Sequence, residues 1–366
     1  VLISGFDILF FWDARMAMQG LHFMKDVPWK TLYLHGLVRA ADGQKMSKSK
    51  GNTVDPFEMM SKYGADAVRW YFLVNNPPWK PTLFNQKDIE DTVIADFFRS
   101  LTNSYKFYAL YANIDEITGM EAEVPVAERP ELDRWILSTM HTVIQKFRDY
   151  MESYELTRAM RLLQDFARLE VSNWYVRRNR RRFWKGEKDS EKLAAYQTLR
   201  TVLMNIAALM APAAPFLSED LFLRLRNEHD PLSVHLMDFP NSDESLIDKD
   251  LERRMETAQK VVFLARSLRE KSKIRTRQPL RRILVPVISP QQRRDLQAVE
   301  DIILEELNVK AVEYVSEETG IVKRSAKANF KTLGKKCGKN TQNVANVIKE
   351  LPAAALRMLQ QNGHYL

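Results

Sequence analysis

Two long series of apolar residues constrain what this chain can fold into more than any other feature. One runs from Leu132 to Met151 and the other from Leu156 to Trp174, with steps of three and four positions. Because residues three and four apart share one face of an α-helix, each series predicts a long helix with one buried face. The helical pattern extends from about residue 88 to 228, which predicts a bundle. We assign both stripes to the core and give them no cofactor role.

The residues before this stretch mix short strands with helices. "VLIS" and "LYLHGLV" predict buried strands, whereas Asp7–Gln19 and Asp66–Val74 predict helices. "NNPPWKP", residues 75–81, marks a boundary.

The residues behind the helical stretch predict a small α+β module. A polar linker is followed by a helix near 250–272, the strand "RRILVPVI", a helix near 297–308 and the strand "AVEYV". Within the helical stretch, "APAAP" at 211–215 predicts the end of the third helix, and Ser218 is the expected cap of the fourth.

A lysine-rich loop stands out near the front of the chain. "GQKMSKSKGN", residues 43–52, holds three lysines and no acid between two glycines, which allow the backbone to move. The loop lacks the G-x-x-x-x-G-K-[ST] frame of a phosphate-binding P-loop. Positioned cations can stabilise the charge that develops on a leaving pyrophosphate, so we interpret it as a loop that contacts a phosphate chain. The alternative is a solvated surface loop.

Positive charge is clustered rather than spread. The net charge is +8, and seven Lys or Arg residues against one acid lie in 172–188, with eight against one in 266–282. Repeated basic clusters predict a polyanionic partner, the alternative being solvated helix faces.

Two broad classes are excluded by composition. The sequence has no apolar run long enough for a membrane span, and its single cysteine rules out a disulfide framework or a multi-cysteine zinc site in this segment. We expect a cytoplasmic protein that does not bind membranes. Because the chain begins with Val1 on a predicted strand, we expect a fragment of a longer protein.

The lysine loop resembles a known signature. "KMSKS", followed by "GN" and preceded by "LHGLVRAADGQ", resembles the second signature of class I aminoacyl-tRNA synthetases. "GFDILFFWDARM" and "YGADAVRWYFL" are similar to the back half of their catalytic fold and its stem-contact segment. "LDRWILS" and "SNWYVRRNRRRFWK" resemble the anticodon-binding domain of the isoleucyl, valyl and leucyl subgroup. The resemblance extends over essentially the whole chain.

The resemblance implies a mixed fold in three parts. Residues 1–80 would be the C-terminal part of a Rossmann-like α/β catalytic domain with the KMSKS loop and stem-contact segment. Residues 81–230 would be an all-α helical bundle, the anticodon-binding domain. Residues 231–366 would be a linker and a partial α+β C-terminal module.

The resemblance also implies roles in ATP binding. Lys45 and Lys48 would be the catalytic residues that hold the ATP phosphates and stabilise the transition state of amino-acid activation. Met46 and Ser47 would complete the loop's ATP contacts. The backbone groups of Gly36, Leu37 and Val38 would face the adenine.

An aliphatic amino-acid pocket is implied at Asp7, Ile8 and Trp12. On the predicted helix, Ile8 and Trp12 lie one turn apart and share a face. The alternative for Trp12 is plain core packing.

A tRNA-binding surface is implied on the arginine-rich helix. Arg177, Arg181 and Lys185 project four residues apart, and so do Arg178 and Arg182. Beside aromatic residues, these rows offer phosphate contacts and stacking surfaces. In the alternative, the arginines are solvated; we place Trp174 in the core, because it lies on the apolar stripe.

The sequence gives two different indications of which amino acid is the substrate. Roughly the last 300 residues, including "KIRTRQPL" and "NFKTLGKKCGK", resemble isoleucyl enzymes, whereas the first 55 or so resemble a valyl enzyme. By length we favour isoleucine and keep valine as the alternative. One methylene alone separates such substrates by only about 10- to 200-fold; this pair is a standard example of that limit.

The implied reaction joins an aliphatic amino acid to ATP as an adenylate and transfers it to the 3′ end of tRNA. The implied partners are tRNA, ATP accompanied by Mg²⁺, and the amino acid, with no zinc in this segment and a monomeric chain. No His-x-Gly-His signature occurs in the sequence, so we expect no amino-acid activation by this chain alone. Two alternatives from other classes are a non-catalytic tRNA-binding protein and a basic helical scaffold.

Overall fold

A computed structural model describes residues 1–184, 186–315, 325–352, 355–356 and 358–359. The chain divides into two compact units, Val1–Lys249 and Asp250–Leu366. Helices predominate in both units. None of the described helices combines the length and the apolar character needed to cross a bilayer.

The first unit begins with short parallel strand pairs. Strand β1 (Leu2–Gly5) pairs with β2 (Leu32–His35), and β3 (Val38–Arg39) pairs with β4 (Thr82–Leu83). A 3₁₀ turn, a π-helical turn at Leu9–Asp13 and helix α1 (Ala14–Phe23) connect β1 to β2, so the predicted helix from Asp7 is present but irregular at its start. The expected single strand "LYLHGLV" is wrong, since it is split into β2 and β3.

The expectation that these strands are buried is also wrong. Ile3 is 67% exposed, and no residue of β2 is fully buried. Within the described residues each sheet has only two strands, so each has open edges and incompletely covered faces. Parallel sheets normally bury both faces, and a pair of strands cannot do this alone.

A helical bundle follows, and both predicted apolar stripes form its core. Trp135, Ile136, Met140 and Phe147 are buried on one stripe, and Ala159 to Trp174 supply the other. The second series is one continuous helical run whose middle, Phe166–Val176, is π-helical. In chain order the helices are α2 (Pro56–Tyr63), α3 (Ala65–Asn75), α4 (Gln86–Asp88), π-helical Ile89–Phe98, α5 (Arg99–Ile114), α6 (Glu131–Glu152), α7 (Leu156–Asp165), π-helical Phe166–Val176, α8 (Arg177–Trp184), α9 (Ser190–Met210) and α10 (Pro215–Leu225).

The predicted stop between the last two helices of the bundle is confirmed. Helix α9 ends at Met210, and α10 begins at Pro215, where the missing N–H of proline costs no helical hydrogen bond. The prediction that Ser218 caps α10 is wrong, because Ser218 lies inside the helix and is buried.

Helix α3 is held to the bundle at both of its ends. Near its start, the carboxylate of Asp66 accepts from the Leu217 backbone N–H at 2.6 Å. At its end, Arg161 Nε donates to the carbonyl of Val74 at 2.8 Å, and the Thr157 hydroxyl donates to that of Leu73 at 2.8 Å. Carbonyls at a helix end have no partner within the helix, so α7 supplies the missing donors.

A buried ion pair fixes α8 to α6. Both Arg182 Nη atoms donate to the two oxygens of Asp133 at 2.8 Å, and the Asp133 side chain is fully buried. The Tyr175 hydroxyl donates to the same carboxylate at 2.6 Å. Burial raises the pKa of Tyr175, and the neighbouring negative charge raises it further, so the phenol remains a donor.

The second unit has the expected alternation of helices and strands. Strands β5 (Ile283–Pro286) and β6 (Val312–Val315) pair in parallel. The helix expected near 297–308 begins at Glu300. A separate helix, Pro290–Ala298, precedes it and was missed by the sequence analysis, and Val299 lies between the two. The helices are α11 (Lys249–Lys271), α12 (Pro290–Ala298), α13 (Glu300–Leu307), α14 (Phe330–Cys337) and α15 (Thr341–Lys349).

We expect Asp133→Asn to lower the free energy of unfolding by about 3–5 kcal/mol, because it leaves the Arg182 guanidinium without its buried counter-charge. Urea denaturation followed by circular dichroism measures this change. Arg224→Gln is the control, since it breaks an exposed pair with Asp220 and should leave the free energy of unfolding nearly unchanged. Equal losses in the two variants would show that the Asp133 pair carries no special stability.

Candidate functional site

Two of the predicted site segments follow the carboxyl ends of neighbouring parallel strands. Gly5, the last residue of β1, lies opposite His35, the last residue of β2. Asp7, Ile8 and Trp12 come directly after β1, and Gly36 to Val38 come directly after β2. Ligands of open parallel sheets bind at this edge, and the fold brings both segments to it.

Gly36 lies against another part of the backbone. A Cβ at this position would come within 2.5 Å of the Lys80 carbonyl carbon, so no other residue fits without a shift. The Gly36 N–H donates to the Pro78 carbonyl at 2.8 Å, and the Leu37 carbonyl accepts from Thr82 N at 3.0 Å. These two backbone groups therefore bind Pro78 and the first residue of β4. The predicted contact of this segment with adenine stays a prediction.

The lysine loop adjoins β3, the strand that follows Gly36 and Leu37 in the chain. Arg39 of β3 forms an antiparallel bridge with Lys45, and Ala40 N donates to the Gln44 carbonyl at 3.0 Å. Gly43 and Gly51 adopt φ values of +80° and +62°, which favour glycine. The structure thus places the loop directly beside the Gly36–Val38 segment.

Asn52 closes the loop. Its Oδ1 accepts from the Ser47 backbone N–H at 2.8 Å, and its Nδ2 donates to the Lys45 carbonyl at 3.4 Å. The hydroxyls of Ser47 and Ser49 lie 2.6 Å apart. Asn52 was missed by the sequence analysis, although its place after the second glycine was noted as part of the signature.

The three lysines of the loop have different surroundings. Lys50 Nζ donates to Gln44 Oε1 at 3.0 Å, a contact internal to the loop. Lys45 and Lys48 are exposed, and no ion pair involves either of them within the part of the chain that the structure describes. Their ammonium groups are therefore the loop's available positive charges. Met46 and Ser47 between them are half-buried.

The predicted amino-acid pocket is open in this structure. Trp12 is 59% exposed and Ile8 is 39% exposed, so core packing does not account for Trp12 among the described residues. Asp7 is exposed as well. The Arg15 guanidinium lies 4.9 Å from the centroid of the Trp12 ring, which is a cation–π distance.

Helix α8 carries the predicted tRNA-binding arginines, and their environments differ. Arg181 is exposed, whereas Arg177 and Arg178 are half-buried, each 5.8 Å from the Trp174 ring centroid. Trp174 is buried, as expected, and Trp184 at the end of α8 is 58% exposed.

Arg182 and Lys185 differ from the other predicted tRNA contacts. Arg182 is bound to Asp133, so its guanidinium is committed to the bundle and its contact with tRNA stays a prediction. Lys185 lies outside the described residues. Sequence reasoning missed Asp133, although its position on the buried side of α6, three residues before Ile136, was a usable signal.

Protein-family comparisons match two parts of the chain. Residues 1–81 match the family of class I tRNA synthetases for isoleucine, leucine, methionine and valine. Residues 133–284 match the anticodon-binding domain of tRNA ligases.

Curated relatives match the chain along its length. The chain is 46% identical to the isoleucine–tRNA ligase of Cytophaga hutchinsonii over 94% of its residues and 31% of that protein. It is 44% identical to the isoleucine–tRNA ligase of Bacteroides thetaiotaomicron over 100% of its residues and 32% of that protein. The chain therefore spans about a third of the length of these relatives.

A solved structure shows the same fold. The methionyl-tRNA synthetase of Mycobacterium tuberculosis, in complex with methionyl-adenylate, aligns with a TM-score of 0.51 at 21% identity. The alignment covers 60% of this chain and 42% of that protein. The family matches and the curated relatives show that the chain belongs to the class I tRNA synthetases.

Proposed function

We propose that the chain serves as part of an isoleucine–tRNA ligase, which activates isoleucine with ATP and transfers it to the 3′ end of tRNA. The observation that carries the proposal is the similarity to isoleucine–tRNA ligases along the whole chain. Because the similarity with the Bacteroides enzyme includes residues 1–55, we choose isoleucine over valine for the amino acid.

In the proposed activation step, Lys45 and Lys48 bind the phosphates of ATP. The carboxylate of isoleucine attacks the α-phosphorus, a new C–O–P link forms, and pyrophosphate leaves with the bonding electrons. Lysine ammonium groups held near the leaving phosphates stabilise the charge that develops there. The Asn52 contacts support this role, since they hold the loop closed while leaving both ammonium groups exposed.

Backbone and side-chain groups at the sheet edge would bind the other parts of the substrates. We propose that Gly36, Leu37 and Val38 lie along the adenine and that Asp7, Ile8 and Trp12 line the isoleucine pocket. In this arrangement the two substrates meet beyond the carboxyl ends of β1 and β2. Mg²⁺ would accompany ATP; among the described residues no group of three His, Cys, Asp or Glu side chains could hold a metal, so we assign it no protein ligand.

The helical part would bind the tRNA. We propose that residues 1–80 are the catalytic part, that 81–230 form the anticodon-binding bundle, and that 231–366 contain a linker and an α+β module. Exposed Arg181 and the half-buried Arg177 and Arg178 would contact tRNA phosphates, with Trp184 as a stacking surface. Arg182 would act indirectly, through its hold on α8.

Loss of Lys45 or Lys48 should weaken phosphate binding by the chain. We expect Lys45→Gln and Lys48→Gln each to lower the affinity for inorganic tripolyphosphate by about tenfold, the size of one lost charge-assisted hydrogen bond. Isothermal titration calorimetry measures the dissociation constants. Lys50→Gln is the matched control, because it removes the same charge from a lysine that contacts Gln44. If all three variants bind equally, the assignment of Lys45 and Lys48 is wrong.

The proposed tRNA contacts predict a dependence on both salt and tRNA identity. The chain should bind isoleucine tRNA more tightly than valine tRNA or an unrelated tRNA, and this preference should survive raised salt. Arg177→Gln and Arg181→Gln should each reduce the slope of log affinity against log salt by about 0.7–0.9, the value for one lost phosphate contact. Filter binding at several salt concentrations measures both quantities.

Arg224→Gln in α10 is the control for this experiment, since it removes one exposed arginine from the same unit. Equal binding of all three tRNAs, with a collapse at raised salt, would contradict a specific anticodon reader and leave only phosphate attraction. Isoleucine-dependent exchange of pyrophosphate into ATP by the 366-residue chain would contradict the expectation that it is inactive alone.

A further inference from the structure

A turn in the second unit concentrates positive charge. Residues 271–282, here named the basic turn, connect α11 to β5 and contain six Lys or Arg residues and no acid. Arg282 donates to Glu313 at 2.7 Å. The other five basic residues are exposed, and they are Lys271, Lys273, Arg275, Arg277 and Arg281.

The backbone of the basic turn is fixed by a buried arginine. Arg269 lies on the buried face of α11 and is only 6% exposed. Its Nη1 donates to the carbonyls of Arg275 and Gln278 at 3.1 Å, and its Nη2 donates to that of Leu307 at 2.6 Å. A buried guanidinium needs such partners, and here it joins the turn to the end of α13.

Asn308 completes this arrangement. It adopts a left-handed conformation, with φ of +50°, just after α13. Its Nδ2 donates to the carbonyls of Thr276 and Arg277 at 3.2 and 3.1 Å. The carbonyl oxygens of four consecutive residues, 275–278, are therefore all bound by Arg269 or Asn308.

This hydrogen bonding has an electrostatic consequence for the outer face of the turn. Carbonyl oxygens are the negative ends of the peptide dipoles, and all four are held toward Arg269 and Asn308. Arg275 and Arg277 are exposed on the same four residues. The negative ends of these four peptide dipoles are thus each bound by a donor, and the exposed arginines lie on a backbone held in place before any partner binds.

We propose that the basic turn is a second RNA-binding surface, separate from α8, that contacts the phosphate backbone. The inference rests on the proposed function, which supplies tRNA as the partner. The turn has no aromatic residue on which a base could stack, whereas α8 ends at the exposed Trp184. Phosphate contacts position an RNA without reading its sequence, so this surface adds affinity and not identity.

The double variant Arg275→Gln/Arg277→Gln tests the proposal in the 366-residue chain. We expect the slope of log affinity for isoleucine tRNA against log salt to fall by about 1.4–1.8, two phosphate contacts at 0.7–0.9 each. Valine tRNA should lose affinity by the same factor, so that the preference between the two tRNAs is unchanged. Filter binding over a salt series measures all of these quantities.

The matched control is Lys260→Gln/Arg294→Gln, which removes two exposed charges from the same unit at α11 and α12. These side chains contact Glu256 and Gln291. An equal change in slope for the control and the test variant would overturn the proposal, because it would show an effect of net charge alone.

A third variant tests the fixed backbone. Asn308→Gly keeps every charge and tolerates the left-handed conformation, but it frees the carbonyls of Thr276 and Arg277. We expect it to weaken tRNA binding severalfold while circular dichroism shows an intact fold. Unchanged affinity would overturn the role of the carbonyl contacts.

Failure of this inference can be separated from failure of the proposed function. If Arg177→Gln and Arg181→Gln weaken binding and the basic-turn variant does not, the inference is wrong and the proposed function stands. If the unaltered chain binds no tRNA, the proposed function is wrong and the inference falls with it.

Discussion

The docking of α3 onto the bundle is the constraint on which the candidate site depends. Asp66 and Arg69 bind the backbone at the start of α10, the latter through the Ala213 carbonyl at 2.9 Å. Arg161 and Thr157 bind the carbonyls at the other end of α3. The helix is therefore fixed in position along its axis by polar contacts, in addition to the burial of Trp70 in the core.

Tyr71 connects the docked helix to the residues at the end of β4. The Tyr71 hydroxyl of α3 donates to the Leu83 carbonyl at 3.1 Å and accepts from Asn85 N at 3.0 Å. Strand β4 pairs with β3, and β3 is bridged to Lys45 of the lysine loop. The lysine loop is thus linked to the bundle through the Tyr71 hydrogen bonds and the strand pairing, although its own residues are largely exposed. Such a linkage gives the lysine loop a fixed starting position.

The sequence predicts those parts of the fold that depend on periodicity or on a local signature. The stripes from Leu132 and Leu156 predict the bundle helices, because burial of one face follows directly from spacing. The loop at 43–52 is recognisable because its glycines and lysines act locally. The strands at the front were predicted as buried from their apolar composition, and Ile3 shows why this failed. The burial of a strand depends on how many strands its sheet contains, and composition alone does not give that number.

The contacts that hold the site together were less accessible to sequence reasoning, because they join residues far apart in the chain. Asp66 and Leu217 are 151 positions apart, and Asp133 and Arg182 are 49 positions apart. A partial signal was present nevertheless. Arg269 continues the buried series of α11 that includes Ala258, Val262 and Ala265, and a charged residue on an apolar face needs a buried partner. A polar residue within a stripe therefore indicates a long-range contact, but not which residue supplies it.

Two groups of arginines in this chain have different structural roles, although both contribute equally to the net charge. Arg161, Arg182 and Arg269 are bound to carbonyls or to a buried carboxylate, and they determine where helices and turns lie. Arg181, Arg275 and Arg277 are exposed on the elements so positioned. Under the proposed function, a charge of the first group would contribute to RNA binding only by orienting the second, so its loss should lower affinity with little effect on the salt slope. Removing a charge of the second group should lower the slope while leaving stability unchanged. The two effects can be measured separately, and this separation makes the basic clusters of the sequence interpretable residue by residue.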